Sequence, residues 1–261
     1  MILDTIAERT RERVAGLKRE KRFAAVQAEA LRMGKDGRYP FEEALRRETP
    51  AFICEVKKAS PSKGVIAREF PYVAIAKDYA AAGAGAISVL TEPYFFQGSD
   101  RYLSEIAGAV SIPILRKDFT VDAYQLYEAK TIGAHAVLLI CALMDRHMLR
   151  DSLDIAHGLG LSALVEAHSE HEVEEALSAG ARVIGVNNRD LRTFEVDVGL
   201  SLRLRALVPK EVLFVSESGI SDPEQIAQLR QANVNGVLIG ETLMRSPDKK
   251  AALRALRGGE A

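Results

Sequence analysis

Eight short β-rich runs alternate with amphipathic helical stretches, and small-residue turns recur ahead of every second run. Together with a length of 261 residues, this predicts an α/β protein, a (β/α)8 TIM barrel with an extra N-terminal helical segment. Chains of this length commonly stay a single domain, here 1–261, with the extension over 1–45 and the barrel over 50–257. A doubly wound open sheet is the competing arrangement. It usually has fewer strands, and no G-x-G-x-x-G follows the first run.

The N-terminal residues lie outside the repeat, with Ile2, Ile6, Val14 and Leu17 near one helical face and charge elsewhere. Such a helix plugs the barrel bottom, packs on its side, or forms a lid near the active-site end; the sequence leaves these open. The first strand, 52–58, offers Phe52, Ile53, Cys54 and Val56 for burial, interrupted by Glu55 and Lys57. Residues two apart on a strand share a face, so Glu55 and Lys57 project together. A carboxylate and an ammonium in an apolar strand are costly unless they pair or meet a polar ligand. The following Ser60-Pro61-Ser62-Lys63-Gly64 adds hydroxyls, a cation and a flexible glycine, the mouth of a site for an anionic substrate.

Seven more strands are expected at 86–92, 113–119, 136–141, 162–168, 183–189, 213–219 and 236–242. Helices are expected at 72–82, 102–110, 123–132, 148–158, 171–179, 200–208 and 223–232, with a last one at 248–257. Gly83, Gly133, Gly180 and Asn233 sit in the turns leading to strands two, four, six and eight. Glycine or asparagine just past a helix C-terminus supplies the left-handed cap.

In a barrel of this type, functional residues cluster at the strand C-terminal ends. Seven of the eight strands meet that demand. They end in Glu55 and Lys57, Thr91-Glu92, Lys117-Asp118-Phe119, Glu166 and His168, Asn187-Asn188-Arg189, Glu217-Ser218-Gly219 and Gly240-Glu241. The fourth ends apolar, with Leu138 suited to a pocket wall. Taken singly, each charge has a bland reading as a solvated loop residue or structural ion pair, and Glu92 and Asp118 are assigned to structure. Loops after strands seven and eight offer backbone N–H groups to a phosphate, here around Ser218, Gly219, Gly240 and Glu241, with Ser60 and Lys57 closing the cup. The Glu241 side chain, of the wrong sign, is expected to point away.

Composition narrows the class. Hydrophobic residues make up 48% and charged residues 27%, and the net charge is −1, without a nucleic-acid footprint or a basic membrane patch. Cys54 and Cys141 lie in apolar runs, as buried thiols of a reducing cytosol do, and no metal-ligand spacing occurs. The uncharged runs fall short of the roughly 20 residues of a membrane span, and no signal-peptide pattern opens the chain. A cytoplasmic protein without a metal site is expected.

Several ordered motifs carry a resemblance: Glu55-Val-Lys57-Lys58-Ala-Ser60-Pro61-Ser62-Lys63-Gly64, Leu115-Arg-Lys117-Asp118-Phe119, Leu164-Val-Glu166-Ala-His168, Asn187-Asn188-Arg189-Asp190-Leu191, Ser216-Glu217-Ser218-Gly219 and Leu238-Ile-Gly240-Glu241. Across the whole barrel the sequence resembles the indole-3-glycerol phosphate synthase family. The resemblance implies ring closure, decarboxylation and dehydration of 1-(2-carboxyphenylamino)-1-deoxyribulose 5-phosphate, without cofactor. It implies Lys117 as general acid and Glu166 as base or charge stabiliser. Lys57 grips the carboxylate or phosphate and donates in the dehydration, with Glu55 orienting it or hydrogen-bonding the reacting hydroxyl or amine. Asn187 and Arg189 fix hydroxyls and carboxylate, and Glu217 supports them. Phe96, Phe119, Pro61, Leu138 and Leu238 line the place of the aromatic ring. A monomer that associates with other tryptophan-pathway enzymes is expected. Two other readings stay open here: a different phosphosugar barrel sharing only the phosphate cup, or a catalytically silent barrel. For Lys117 the alternatives are a Schiff-base lysine or a lysine paired with Asp118.

Overall fold

The computed structural model describes residues 2–35, 37–190 and 193–258. Eight parallel strands close into a barrel: β1 (Ala51–Val56), β2 (Ala86–Leu90), β3 (Ile114–Lys117), β4 (Ala136–Ile140), β5 (Ser162–Ala167), β6 (Val183–Asn187), β7 (Leu213–Glu217) and β8 (Gly236–Ile239). Each pairs with its neighbour in sequence, and β8 closes onto β1 through Ala51↔Gly236 and Ile53↔Leu238. The expected strands are all present but end one to three residues earlier, where the chain leaves the ladder to form the βα loops.

Strands of a closed parallel barrel are buried on both faces, which is why they read as nearly continuous apolar runs. The faces still differ. In β1, Phe52, Cys54 and Val56 point outward into the layer beneath the helices. Ala51 and Ile53 point inward, packed with Leu115, Leu164, Val215 and Leu238. Alternation therefore carries Glu55, Lys117, Glu166, Asn187 and Glu217 to the upper end of the interior, one from each of five strands.

Among the described residues, nine α-helices follow the N-terminal segment: α4 (Tyr72–Ala81), α5 (Asp100–Ala107), α6 (Ala123–Thr131), α7 (Arg146–Gly158), α8 (Glu170–Ala179), α9 (Gly199–Arg205), α10 (Pro223–Gln231), α11 (Glu241–Arg245) and α12 (Lys249–Leu256). Six of their starts are marked by side-chain caps: Ser99, Asp122, Asp145, Ser169 and Asp248 each accept an N–H of the first turn, and Asp222 forms a capping box with Gln225. Such a cap is worth about 1 kcal/mol. The expected turns take the left-handed conformation, as at Gly133 (φ 94°) and Gly180 (φ 91°). Gly160 (φ 76°) repeats the device ahead of β5, so the recurrence is not confined to even strands.

Among its described residues the N-terminal segment forms three helices, α1 (Ile2–Glu20), α2 (Phe23–Arg32) and α3 (Pro40–Arg47). They divide the roles that the sequence left open. α1 lies at the active-site end, with Ile2, Leu3 and Ile6 on the main cavity. α2 packs on the side: Val26 joins Val14 and Tyr124, and Phe23 meets Tyr127 edge-on at 5.5 Å. α3 closes the bottom, where Phe41 and Leu45 enter the interior cluster. Three small features among the described residues have no counterpart in the sequence reading: the hairpin Ala59–Ser60 with Gly64–Val65, the 3-10 turn Cys141–Leu143 after β4, and α11 directly after β8.

Candidate active site

A cavity of about 390 Å³ opens at the C-terminal ends of the strands. The residues assigned to catalysis, substrate or phosphate line it: Glu55, Lys57, Ser60 and Pro61 from the first strand and its loop; Phe96; Lys117 and Phe119; Leu138; Glu166; Asn187 and Arg189; Glu217, Ser218 and Gly219; Leu238, Gly240 and Glu241. Leu191, part of one motif, lies outside the described residues.

Lys117 is the centre of the charge arrangement. Its Nζ donates to Glu166 Oε2 at 3.0 Å and lies 3.3 Å from Glu217 Oε2. Burial works against the ammonium, but Glu166, Glu217 and Glu55 outweigh it and push its pKa above the usual lysine value. The two carboxylates respond differently. Glu166 is opposed by burial too, yet Lys117, His168 and a hydrogen bond from Asn187 hold it below the ordinary carboxylate range. Glu217 is driven up by burial to about 7, with Glu166 adding repulsion that Lys117 only partly offsets. One site thus holds a firmly ionised carboxylate and one that titrates near neutrality. The alternative pairing of Lys117 with Asp118 is corrected. Asp118 turns the other way, to Arg13 of α1 (2.6 Å) and to Arg116 (3.4 Å).

Glu55 and Lys57 meet as the strand period requires, Nζ to Oε2 at 2.5 Å. Gly240 makes room for them. A Cβ there would fall against the Glu55 carboxylate and 2.9 Å from Lys57 Nζ. Beside this pair, Ser218 (φ 68°) and Gly219 (φ 78°) are consecutive left-handed residues. A serine in that conformation is strained, and such strain gathers at ligand sites.

Glu241 departs from expectation. Arg245 holds its carboxylate at 3.0 Å, and Lys63 and Arg189 approach to 3.8 Å each, so it stays at the rim and does not turn away. The cations converging there from the β1 and β6 loops and from α11 are the reason. Arg189 also donates to the Phe194 carbonyl at 3.2 Å, and its backbone N–H donates to Asn187 Oδ1 at 3.1 Å.

Phe96 and Phe119 face one another across the apolar side, centroids 5.8 Å apart. Glu92 builds the loop that carries Phe96. Its buried carboxylate accepts the N–H groups of Tyr94 (2.9 Å), Phe95 (2.7 Å) and Phe96 (3.0 Å).

The sequence reading missed other lining residues: Leu3, Leu90, Phe194 and Arg245. Leu3 was within reach, since it neighbours Ile2 on the amphipathic helix. Phe194 carries no such signal, because it lies in an irregular loop with φ 61°.

A family model described as indole-3-glycerol phosphate synthase matches residues 3–256. A protein of that name from Ruminiclostridium cellulolyticum is 58% identical over 258 residues, covering 99% of each chain. Another, from Endomicrobium trichonymphae, is 55% identical over 98% of this chain and all of its own. Among solved structures, KGPDC from Streptococcus mutans has a TM-score of 0.63 at 12% identity, covering 81% of this chain and 97% of its own. A 3-hexulose-6-phosphate synthase has 0.62 at 14%, covering 81% and 100%. At such identities these two share the fold alone. With the family model spanning nearly the whole barrel and its N-terminal helices, the chain belongs to the indole-3-glycerol phosphate synthase family.

Proposed function

We propose that Lys117, Glu166 and Lys57 move the protons of an indole-forming ring closure in this cavity. As a member of its family the chain is a carboxy-lyase of tryptophan biosynthesis. It converts 1-(2-carboxyphenylamino)-1-deoxyribulose 5-phosphate into indole-3-glycerol phosphate, carbon dioxide and water. The observation that carries the residue assignment is the Lys117 ammonium buried between Glu166 and Glu217 at 3.0 and 3.3 Å.

The phosphate sits in the cup of Ser218, Gly219 and Gly240, with the Glu241 N–H, Ser60 and Lys57 completing it. The aromatic ring lies between Phe96 and Phe119, against Pro61, Leu138 and Leu238. The ring carbon bearing the carboxylate attacks the ribulose carbonyl, and Lys117 protonates the oxygen as negative charge develops there. Carbon dioxide then leaves, its bonding electrons returning to the ring iminium. Loss of the hydroxyl as water needs a second acid and a base. Lys57, oriented by Glu55, supplies the proton, and Glu166, ionised at neutral pH, takes one up. Asn187 and Arg189 fix hydroxyls and carboxylate, and Glu217 supports the charge of Lys117.

The chain acts as one domain and as a monomer in the cytoplasm, associating with other enzymes of the pathway. Three helices that pack on top, side and bottom of one barrel support the first statement. Two buried free thiols, Cys54 and Cys141, fit a reducing compartment. Among the described residues no helix is long and apolar enough to cross a membrane. Incubating the purified protein with the carboxyphenylamino-deoxyribulose phosphate tests the reaction. Indole fluorescence should appear with an equimolar release of carbon dioxide, and the absence of both would sink the reading.

A further inference from the structure

Glu166 has a neighbour that the roles above leave unused. His168 follows β5 by one residue and is fastened by Glu172 on the first turn of α8. The His168 backbone N–H donates to Glu172 Oε2 at 2.7 Å, and ring Nδ1 lies 3.5 Å from the same oxygen. Glu172 is itself fixed, its N–H donating to Ser169 Oγ at 3.2 Å. The ring is thereby aimed at the site, with Nε2 3.6 Å from Glu166 Oε1. That nitrogen is buried and makes no hydrogen bond. A buried polar atom without a partner is costly. The Glu166 oxygen that faces it lies just beyond hydrogen-bond length.

We infer that His168 is a positioning residue for Glu166: from Nε2 it holds the carboxylate ionised and oriented opposite Lys117, with Glu172 as its own counterion. The inference rests on the ring-closure reading given above. Charges then alternate along one row that leads from the start of α8 into the cavity: Glu172, His168, Glu166, Lys117, Glu217. Burial opposes the imidazolium, but Glu172 and Glu166, with Glu217 behind, raise its pKa above the ordinary histidine value. The remaining titratable groups around the row do not reverse this. Glu175 on α8 is engaged by Arg146 at 2.5 Å, Glu55 adds a further negative charge near Lys117, and the Cys141 thiol, pushed up to about 12 by burial, stays neutral.

The sign of the effect follows. Glu166 works as the anion, and His168 helps hold its pKa down; removing the imidazolium raises that pKa. The acid limb of kcat, where Glu166 gains a proton, then moves to higher pH. His168→Leu should displace it by about one unit, a tenfold loss of kcat on the acid side. His168→Gln, which keeps a donor but no charge, should displace it similarly while retaining more of the kcat plateau. An acid limb that stays in place in both variants would overturn the inference. Because either variant can fail to fold, the wild-type imidazole is also followed by NMR titration. Its pKa should lie above about 6.5 and fall in Glu166→Gln. A value at or below that, unmoved by Glu166→Gln, rejects the contact. Wild-type protein without turnover would reject the ring-closure reading itself, whereas wild-type turnover with unmoved limbs rejects only the part of His168.

Discussion

At the residue scale, the behaviour of Lys117 is decided by competition between burial and three carboxylates. An ammonium at the floor of an apolar barrel would ordinarily lose its proton. Here Glu166, Glu217 and Glu55 reverse that, and the group stays an acid. Lys117→Met keeps the length and removes the proton. We expect kcat to fall by about 10² to 10⁴, the usual worth of a general acid, with an unchanged circular dichroism spectrum. Substantial remaining formation of indole-3-glycerol phosphate would overturn the acid assignment. A pH profile separates the partners. Glu217 raises the Lys117 pKa, so Glu217→Gln should bring the basic limb of kcat to lower pH. An unmoved basic limb would mean that Glu217 does not act on Lys117. The sequence made Lys117 and Glu166 visible as charges at strand ends. It did not show that Glu166 and Glu217 share one lysine, because their strands lie some 50 and 100 residues further along and only barrel closure brings them together.

At the scale of elements, period-two alternation and apolar runs located all eight strands, since burial on both faces leaves a strong signal. The βα loops were less visible, because their shape depends on single side chains that bind backbone. Glu92 shows this. It falls at the end of a predicted strand, but its carboxylate gathers three successive N–H groups and folds the segment that presents Phe96. The short α11 and the hairpin after β1 were missed for a related reason: each is too short to display a period. If the loop serves to hold Phe96 against the substrate ring, Phe96→Ala should raise KM about tenfold and leave kcat nearly unchanged. That is the low end of what burying a phenyl ring contributes, about 1.5 kcal/mol. An unchanged KM would count against the aromatic clasp.

At the scale of the whole molecule, the barrel separates chemistry from stability along its axis, and the N-terminal helices attach at both ends. α1 covers the cavity end and is tied beside Lys117 by Arg13 on Asp118. α3 seals the opposite end. Phe41 and Leu45 are fully buried there, inside the ring of strand starts. Gly236 lacks a side chain where Leu45 Cδ2 sits, so β8 leaves a socket that the leucine fills. The sequence reading named only the first apolar face, Ile2, Ile6, Val14 and Leu17, because α2 and α3 are short, 10 and 8 residues, and each helix turns its apolar face to a different part of the barrel. This division makes a prediction that the active-site variants do not. Leu45→Ala removes buried methyl groups and leaves a cavity that a rigid barrel bottom can only partly close. It should lower stability by about 2–5 kcal/mol, the range for buried leucine truncations. The cavity lies at the far end from Lys117, so kcat and KM measured well below the melting temperature should match the wild type. A thermal melt paired with kinetics decides the point. An unshifted melt would mean that α3 does not plug the core, and a lost kcat at full stability would mean that the bottom of the barrel governs the geometry at its top.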